Sequence, residues 1–543
     1  MMLFARVVTY VIFATIPLFA NAGQREDVGY TKLQDRLGDN TPTGKGINVS
    51  AYEPEFIDYS GSTSPKGWMP FSNSKNLNHI NTIEMYQGQS LATKSGNTSS
   101  HANTVSKFMF GKEQGVSQEL ESVSFHFLDH FIQYLLYPRT HYQATYPVYP
   151  YTVFENQVNN FSATSSFSPN NKNFLRRFDW ATAREDVVNI VSSGNNQYTN
   201  ASAVFSSSLN GIYVGITSLW HSRYSTEYHY SRQNRPDIVA PNVNTSRGTG
   251  TITGITAVLM ETAKNDELSE LGVSEAGSLI LNAERSETMK AILMAGADRT
   301  TFNTRNNGVP REIDGTQKKD EDGQDLPSYT ANIDNYRSNP KHQTSNGLDT
   351  RYGAGQANVE TSYDILMGKE QASLEDDGEQ TVSLMGFDYD DTFGLGVKNQ
   401  IANSTATYVL PTLEVDSDIA ITLAWNADVA SYNGIFSAVA VYDLDLWLFQ
   451  IIDNEEALIA SSTSNSANTE NIWAELEAEG NYFFRVNTTK NLIALVWDYA
   501  IAWNVTEKHS MQNLNMKAAS VPIPSSILLF VSALSMFFLK KHR

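Results

Sequence analysis

The apolar pattern divides the chain into segments of different period. From Gly44 to about Gly368, short strand-like runs alternate with helical stretches. Ile47-Asn48-Val49 is strand-like, Phe174 to Arg184 has helical spacing, Val187 to Val191 is a β-branched run, and Ile252 to Ala263 is an apolar helix. This alternation predicts an α/β domain at 44–368, a parallel sheet flanked by helices. Within it, Asn303 to Asn346 is polar and rich in Gly, Asn and Asp, which predicts a long surface loop. After about Ala372 strands dominate, at Tyr408-Val409-Leu410, Ile419 to Leu423, Leu444 to Phe449, Tyr482 to Val486 and Leu492 to Trp497. Polar turns separate them, predicting a smaller antiparallel β-sandwich at 372–508.

Both ends read as addresses. Residues 1–22 place Arg6 before an apolar stretch from Val7 to Phe19 and then Ala20-Asn21-Ala22, the pattern of a secretory signal peptide. Residues 23–43 are polar and read as an N-terminal arm or pro-segment remnant. At 521–543, Val521-Pro522-Ile523-Pro524 precedes an apolar run from Ile527 to Leu539 and a basic terminus. As a helix that run spans about 20 Å, short of the roughly 30 Å hydrocarbon core. The order resembles the PEP-CTERM class of bacterial envelope sorting signals, with Ile523 where that class usually has Glu. The resemblance implies an exosortase-type processing enzyme as partner; a plain C-terminal membrane anchor is the alternative. Either reading makes the chain an exported protein of the bacterial cell envelope or extracellular space, touching membrane only through that segment.

Composition narrows the chemistry. The 543 residues include no cysteine, which excludes disulfide scaffolds, thiol catalysis and cysteine-ligated zinc. A net charge of −20 makes nucleic acid an unsuitable partner, since the phosphate backbone would be repelled. The run Asp320-Glu321-Asp322-Gly323-Gln324-Asp325 has oxygen ligands at spacings that suit a structural calcium ion, but it lacks a full loop pattern and reads first as a solvated charge run. No cofactor is otherwise implied. Asp443-Leu444-Asp445-Leu446 likewise reads as a solvated strand face before a cation site.

The most informative stretch is Pro236-Asp237-Ile238-Val239-Ala240-Pro241, followed by Asn244-Thr245-Ser246 and an apolar helix through Met260. A hydroxyl at the mouth of a helix meets the positive end of its dipole, which suits a nucleophile that develops negative charge. An ordinary N-cap is the plainer reading of Ser246. Taken together, these residues resemble the subtilase family of serine endopeptidases. Gly250 stands where that family usually has Pro, and Gly248-Thr249-Gly250 offers a competing register that would put Gly250 in the nucleophile's place. The spacing into the helix favours Ser246.

The resemblance implies a base and an acid upstream. Ser100-His101-Ala102-Asn103-Thr104-Val105 resembles the family's His-containing helix start, with Asn103 where Thr is usual, and makes His101 the base. Gly44 to Tyr52 resembles the family's first strand, which normally ends in Asp; here Glu53 follows, with Asp58 as the alternative acid. Val191-Ser192-Ser193-Gly194-Asn195 resembles the strand whose Asn donates to the oxyanion, favouring Asn195 over Asn196. Val158-Asn159-Asn160 resembles the strand end where substrate backbone pairs, and Arg351 to Asn358 resembles the closing segment, whose role is packing. The fold expected is therefore subtilisin-like. The function implied is an exported serine endopeptidase with a Glu53, His101, Ser246 triad acting on protein or peptide substrates. The alternative is a catalytically inactive subtilase-like surface binding or matrix protein, which the Glu for Asp and Gly for Pro departures favour.

Overall fold

A strand buried on both faces needs apolar residues at nearly every position, and a parallel sheet sandwiched between helices is where such strands occur. The computed structural model describes residues 24–54, 67–86, 89–90, 98–136, 152–163, 172–195, 205–223, 235–302, 333–337, 339–394, 404–432, 435–488 and 497–507. The first sheet contains β1 (Asn48–Glu53), β2 (Asn81–Tyr86), β3 (Gln89–Ser90), β4 (Ser122–Phe127), β5 (Val158–Phe161), β6 (Val188–Ser192), β7 (Ile212–Ile216) and β8 (Ile238–Ala240). Their order is β3-β2-β4-β1-β5-β6-β7-β8. Only the β2–β3 pair is antiparallel; the other seven strands run parallel. The helices are α1 (Gln24–Asp27), α2 (Tyr30–Leu37), α3 (Ser100–Met109), α4 (Leu128–His130), α5 (Lys172–Glu185), α6 (Thr245–Ala263), α7 (Ser286–Ala295) and α8 (Val359–Met367).

Strand side chains alternate between two cores. Val49 and Ala51 of β1, Val158 of β5, and Val188 and Ile190 of β6 join Val105, Ile252 and Ile255 from α3 and α6. Tyr52, Phe161 and Val191 point the other way, into an aromatic core with Phe174 and Phe178 of α5.

Two small hairpins follow, β9 (Leu271–Val273) with β10 (Leu279–Leu281) and β11 (Thr300–Phe302) with β12 (Ile333–Asn335). The β domain contains β13 (Met385–Phe393), β14 (Thr405–Leu413), β15 (Asp418–Ala424), β16 (Asp428–Tyr432), β17 (Ile435–Ala440), β18 (Leu444–Ile452), β19 (Glu455–Ser462), β20 (Thr469–Glu475), β21 (Gly480–Thr488) and β22 (Trp497–Thr506). Two antiparallel sheets, β13-β22-β15-β20 and β14-β21-β18-β19, enclose Tyr408, Trp425, Phe484 and Trp503.

Helix α7 is buried on every side. It lies between the two domains, where Phe387, Ala424, Ala500 and Ala502 of the sandwich join the core of the α/β domain. The three alanines leave room for the helix, and Asn426 Nδ2 donates to Ser286 Oγ (2.9 Å) at its start. The sandwich is therefore fused to the α/β domain through a common core.

Several expectations change. The polar arm is an integral part of the domain: Val28, Tyr30 and Leu33 are buried in the α6 core, and Gln24 Nε2 donates to Thr251 Oγ1 (2.6 Å). Three well-spaced apolar residues suffice to dock it, too few to show as periodicity. Asp445, expected on a solvated face, is buried in β18. The 1–22 and 521–543 segments, Asp58, Asn196, the Asp320 to Asp325 run and residues 491–496 lie outside the described residues. Among the described residues no helix is long and apolar enough to cross a membrane.

Near Asp445, Glu470 is fully buried and accepts hydrogen bonds from Ser462 Oγ and Ser464 N. Burial pushes its carboxyl up to about 9 from an ordinary 4.5, against the lowering effect of those two bonds. Between these values the folded chain holds a proton that the unfolded chain lacks, so stability falls as pH rises through that window. Replacing Glu470→Gln keeps the shape of the protonated acid and removes the proton uptake. Thermal melting at about pH 5.5 and about pH 8.5 should show the wild type losing stability at the higher pH and the variant losing much less. Equal pH dependence in both proteins would contradict a neutral Glu470.

Candidate active site

In an open α/β sheet the carboxyl ends of the strands face the amino ends of the covering helices, and ligand sites form there. Glu53 is the last residue of the central strand β1 and continues the Val49, Ala51 series toward α3 and α6. It is fully buried. Helix α3 starts beside it, with Ser99 as N-cap accepting from the main-chain N of His101 (3.1 Å) and Ala102 (3.3 Å). The cap fixes the first turn, and His101 Nδ1 lies 2.6 Å from Glu53 Oε2.

A carboxylate only accepts, so Nδ1 carries the ring proton toward Glu53 and Nε2 is the basic nitrogen of the neutral ring. Burial lowers the affinity of His101 for a second proton, but the charge and hydrogen bond of Glu53 together outweigh it, and the imidazole pKa is raised above 6.5. Asn103 serves the frame, its Oδ1 accepting from Phe71 N (3.3 Å).

Helix α6 brings Ser246. Its N-cap is Asn244, whose side chain accepts from Arg247 N (3.0 Å), so Ser246 is a first-turn residue and remains partly exposed. Its hydroxyl donates to the main-chain carbonyl of Ser162 (2.7 Å). Ser162 follows β5, is buried, and its own hydroxyl donates to Glu53 Oε1 (2.6 Å). Acid and imidazole are thus in direct contact, and Ser246 is joined to the acid through Ser162.

Asn195 is exposed beyond β6, after Gly194, whose φ of +88° is a conformation that favours glycine. Its Oδ1 accepts from Thr245 N (2.8 Å) and Thr245 Oγ1 (2.9 Å). A main-chain N–H must meet an acceptor, which fixes the amide orientation and leaves the Nδ2 hydrogens as donors next to Ser246.

The loop before α6 is held from below. Asp237 is buried against Arg235 Nη1 (2.9 Å) and accepts from Tyr213 N (3.0 Å), while the Arg235 guanidinium lies 3.9 Å from the Tyr213 ring centre. Ala354 N donates to Asp237 O (2.7 Å), and Val239 and Ala357 also pair, so the closing segment does pack against β8.

Gly250 lies inside α6 against α3, where an added Cβ would meet the Val105 carbonyl oxygen at 2.8 Å; at Gly254 it would meet the Met109 oxygen at 2.6 Å. One turn apart on one face, these glycines let the two helices approach closely, which brings their amino ends, with His101 and Ser246, to one edge of the sheet. Asn159 and Asn160 differ from expectation: both are buried, and β5 pairs with β1 and β6 on its two sides, so this strand offers no free edge to a substrate. The sequence signal of Ser162 is its phase: it continues Val158 and Asn160 toward α6, as Ser192 continues Val188 and Ile190.

No family model and no curated protein matches the chain. Among solved structures it is similar to tripeptidyl peptidase 2 (9% identity, 76% of this chain and 40% of that one, TM-score 0.30). The chain thus spans about two fifths of that protein's length. It is also similar to the periplasmic assembly of the ESX-5 inner membrane complex (10% identity, 61% and 83%, TM-score 0.29). A shorter likeness is to the K1 cleaved adhesin domain of Lys-gingipain from Porphyromonas gingivalis W83 (11% identity, 22% and 73%, TM-score 0.16).

The helix contact is directly testable. Gly254→Ala should destabilise the folded protein by about 1–3 kcal/mol, because a main-chain oxygen has to move. Urea denaturation followed by tryptophan fluorescence measures this, and an unchanged midpoint would contradict the close approach.

Proposed function

We propose that the protein is an exported serine endopeptidase with a subtilisin-like α/β domain, acting through Glu53, His101 and Ser246. The observation that carries this reading is the 2.6 Å contact between a fully buried carboxylate and the imidazole at the start of α3, with the hydroxyl at the start of α6 joined to that carboxylate through Ser162. In the proposed reaction the Ser246 hydroxyl leaves the Ser162 carbonyl and gives its proton to His101 Nε2 as Oγ attacks the peptide carbonyl. Glu53 holds the tautomer and stabilises the imidazolium. The extra methylene of Glu relative to Asp is absorbed without loss of the contact. Asn195 Nδ2 supplies a donor to the tetrahedral oxyanion, a contribution of about 3 kcal/mol in such sites. His101 then returns the proton to the leaving amine, and water repeats the sequence on the acyl-enzyme. The apolar segment at 7–19 supports export, and substrates are then extracytoplasmic proteins or peptides.

The second reading, an inactive binding or matrix protein, is favoured by one observation: the Ser246 proton is directed to a main-chain carbonyl. Hydrolysis of a quenched fluorescent casein separates the two. The wild type should cleave it and Ser246→Ala should lose about 10⁴-fold or more while melting normally. Because His101 must be neutral to act and its pKa is raised, kcat/KM should increase with pH through a midpoint above 6.5. Equal hydrolysis by the variant, or no hydrolysis by either protein, would remove the enzyme reading.

A further inference from the structure

The Glu53 carboxylate has two oxygens, and only Oε2 serves His101. A Glu side chain carries one more rotatable bond than Asp, so at the end of a strand its carboxylate can turn away from the imidazole unless the second oxygen is held. The parallel register supplies the holder. Ala51 of β1 is paired with Asn160 of β5, and Asn160 with Ile190 of β6. Two residues further along, in the same phase, the first pair becomes Glu53 beside Ser162. Ser162 Oγ donates to Glu53 Oε1 (2.6 Å), both side chains are buried, and the Ser162 carbonyl accepts the Ser246 hydroxyl (2.7 Å).

We propose that Ser162 is a positioning residue: its hydroxyl locks the second oxygen of Glu53 so that the first faces His101, and its carbonyl holds the Ser246 hydroxyl beside them until a substrate takes its place. The inference rests on the reading of Glu53, His101 and Ser246 as a triad. It adds a residue that touches no reacting atom in the chemical step and acts through the acid. A pure packing role for Ser162 predicts that its removal changes stability and leaves the imidazole untouched. The positioning role predicts that His101 loses the fixed carboxylate that favours its charged form.

The test is the titration of His101 in the full chain carrying 13C-labelled histidine, with its resonance assigned by His101→Gln. In Ser162→Ala the midpoint should fall toward the ordinary imidazole value by about 0.5 pH units or more. In Ser162→Thr, which keeps the hydroxyl, it should return to the wild-type value. Casein hydrolysis should follow, lower by about 10-fold in the alanine variant and restored in the threonine variant. Should Ser162→Ala not fold, Ser162→Cys keeps the volume with a much weaker donor and carries the same expectation. A midpoint that is unchanged or higher in a folded variant would overturn the proposal. The titration reads the Glu53–His101 pair without reference to acylation. A shifted midpoint in a protein that cleaves nothing would therefore sink the enzyme reading alone, whereas full hydrolysis with an unshifted midpoint would sink Ser162 alone.

Discussion

A fully buried carboxylate at the end of the central strand is the constraint from which the site follows. Removing Glu53 from water without compensation would cost several kcal/mol, so its oxygens must find donors. Both donors come from neighbouring elements, His101 from the start of α3 and Ser162 from the end of β5. Meeting that demand brings three segments far apart in sequence to one edge of the sheet, and the helix whose first turn includes Ser246 closes over them. The same hydrogen bonds that satisfy the buried charge orient the imidazole and define its tautomer, so the stability of this corner and its proposed chemistry have one physical origin.

Helix packing makes the arrangement specific. Gly250 and Gly254 bring α6 against the main chain of α3, and this contact determines how close the amino ends of the two helices lie. Behind them, α7 is enclosed by the sandwich, so the second domain completes a core that the α/β domain would otherwise leave exposed. Two residues that differ from the expected motif, Glu53 and Gly250, have defined surroundings. Glu53 meets His101 with one oxygen and Ser162 with the other, and a Cβ at position 250 would meet the Val105 carbonyl oxygen.

Features encoded locally were legible in the chain. The resemblance of Gly44 to Tyr52 to a strand that ends in an acid pointed to Glu53, and Ser246 was expected at the mouth of an apolar helix, where it lies in the first turn after the N-cap Asn244. The helix of 174–184 and the strands near 408, 419, 444 and 482 were readable from period alone, and all four strands are present. Features created by tertiary pairing were hidden. Strands β2 and β4 include Glu84, Ser122, Ser124 and His126, polar residues that break the apolar run although each is buried. Ser162 owes its place to the register between strands whose residues are separated by 109 positions, which no local pattern records. The N-terminal arm is polar on average, yet three apolar residues anchor it.

The central claim is that the Glu53–His101 pair activates Ser246. Reaction of the full chain with a fluorophosphonate probe, with the adduct mapped by mass spectrometry, tests this most directly. The predicted result is a single adduct on Ser246 that disappears in folded His101→Ala. An unlabelled Ser246 in the folded wild type, or labelling that persists without His101, would contradict it.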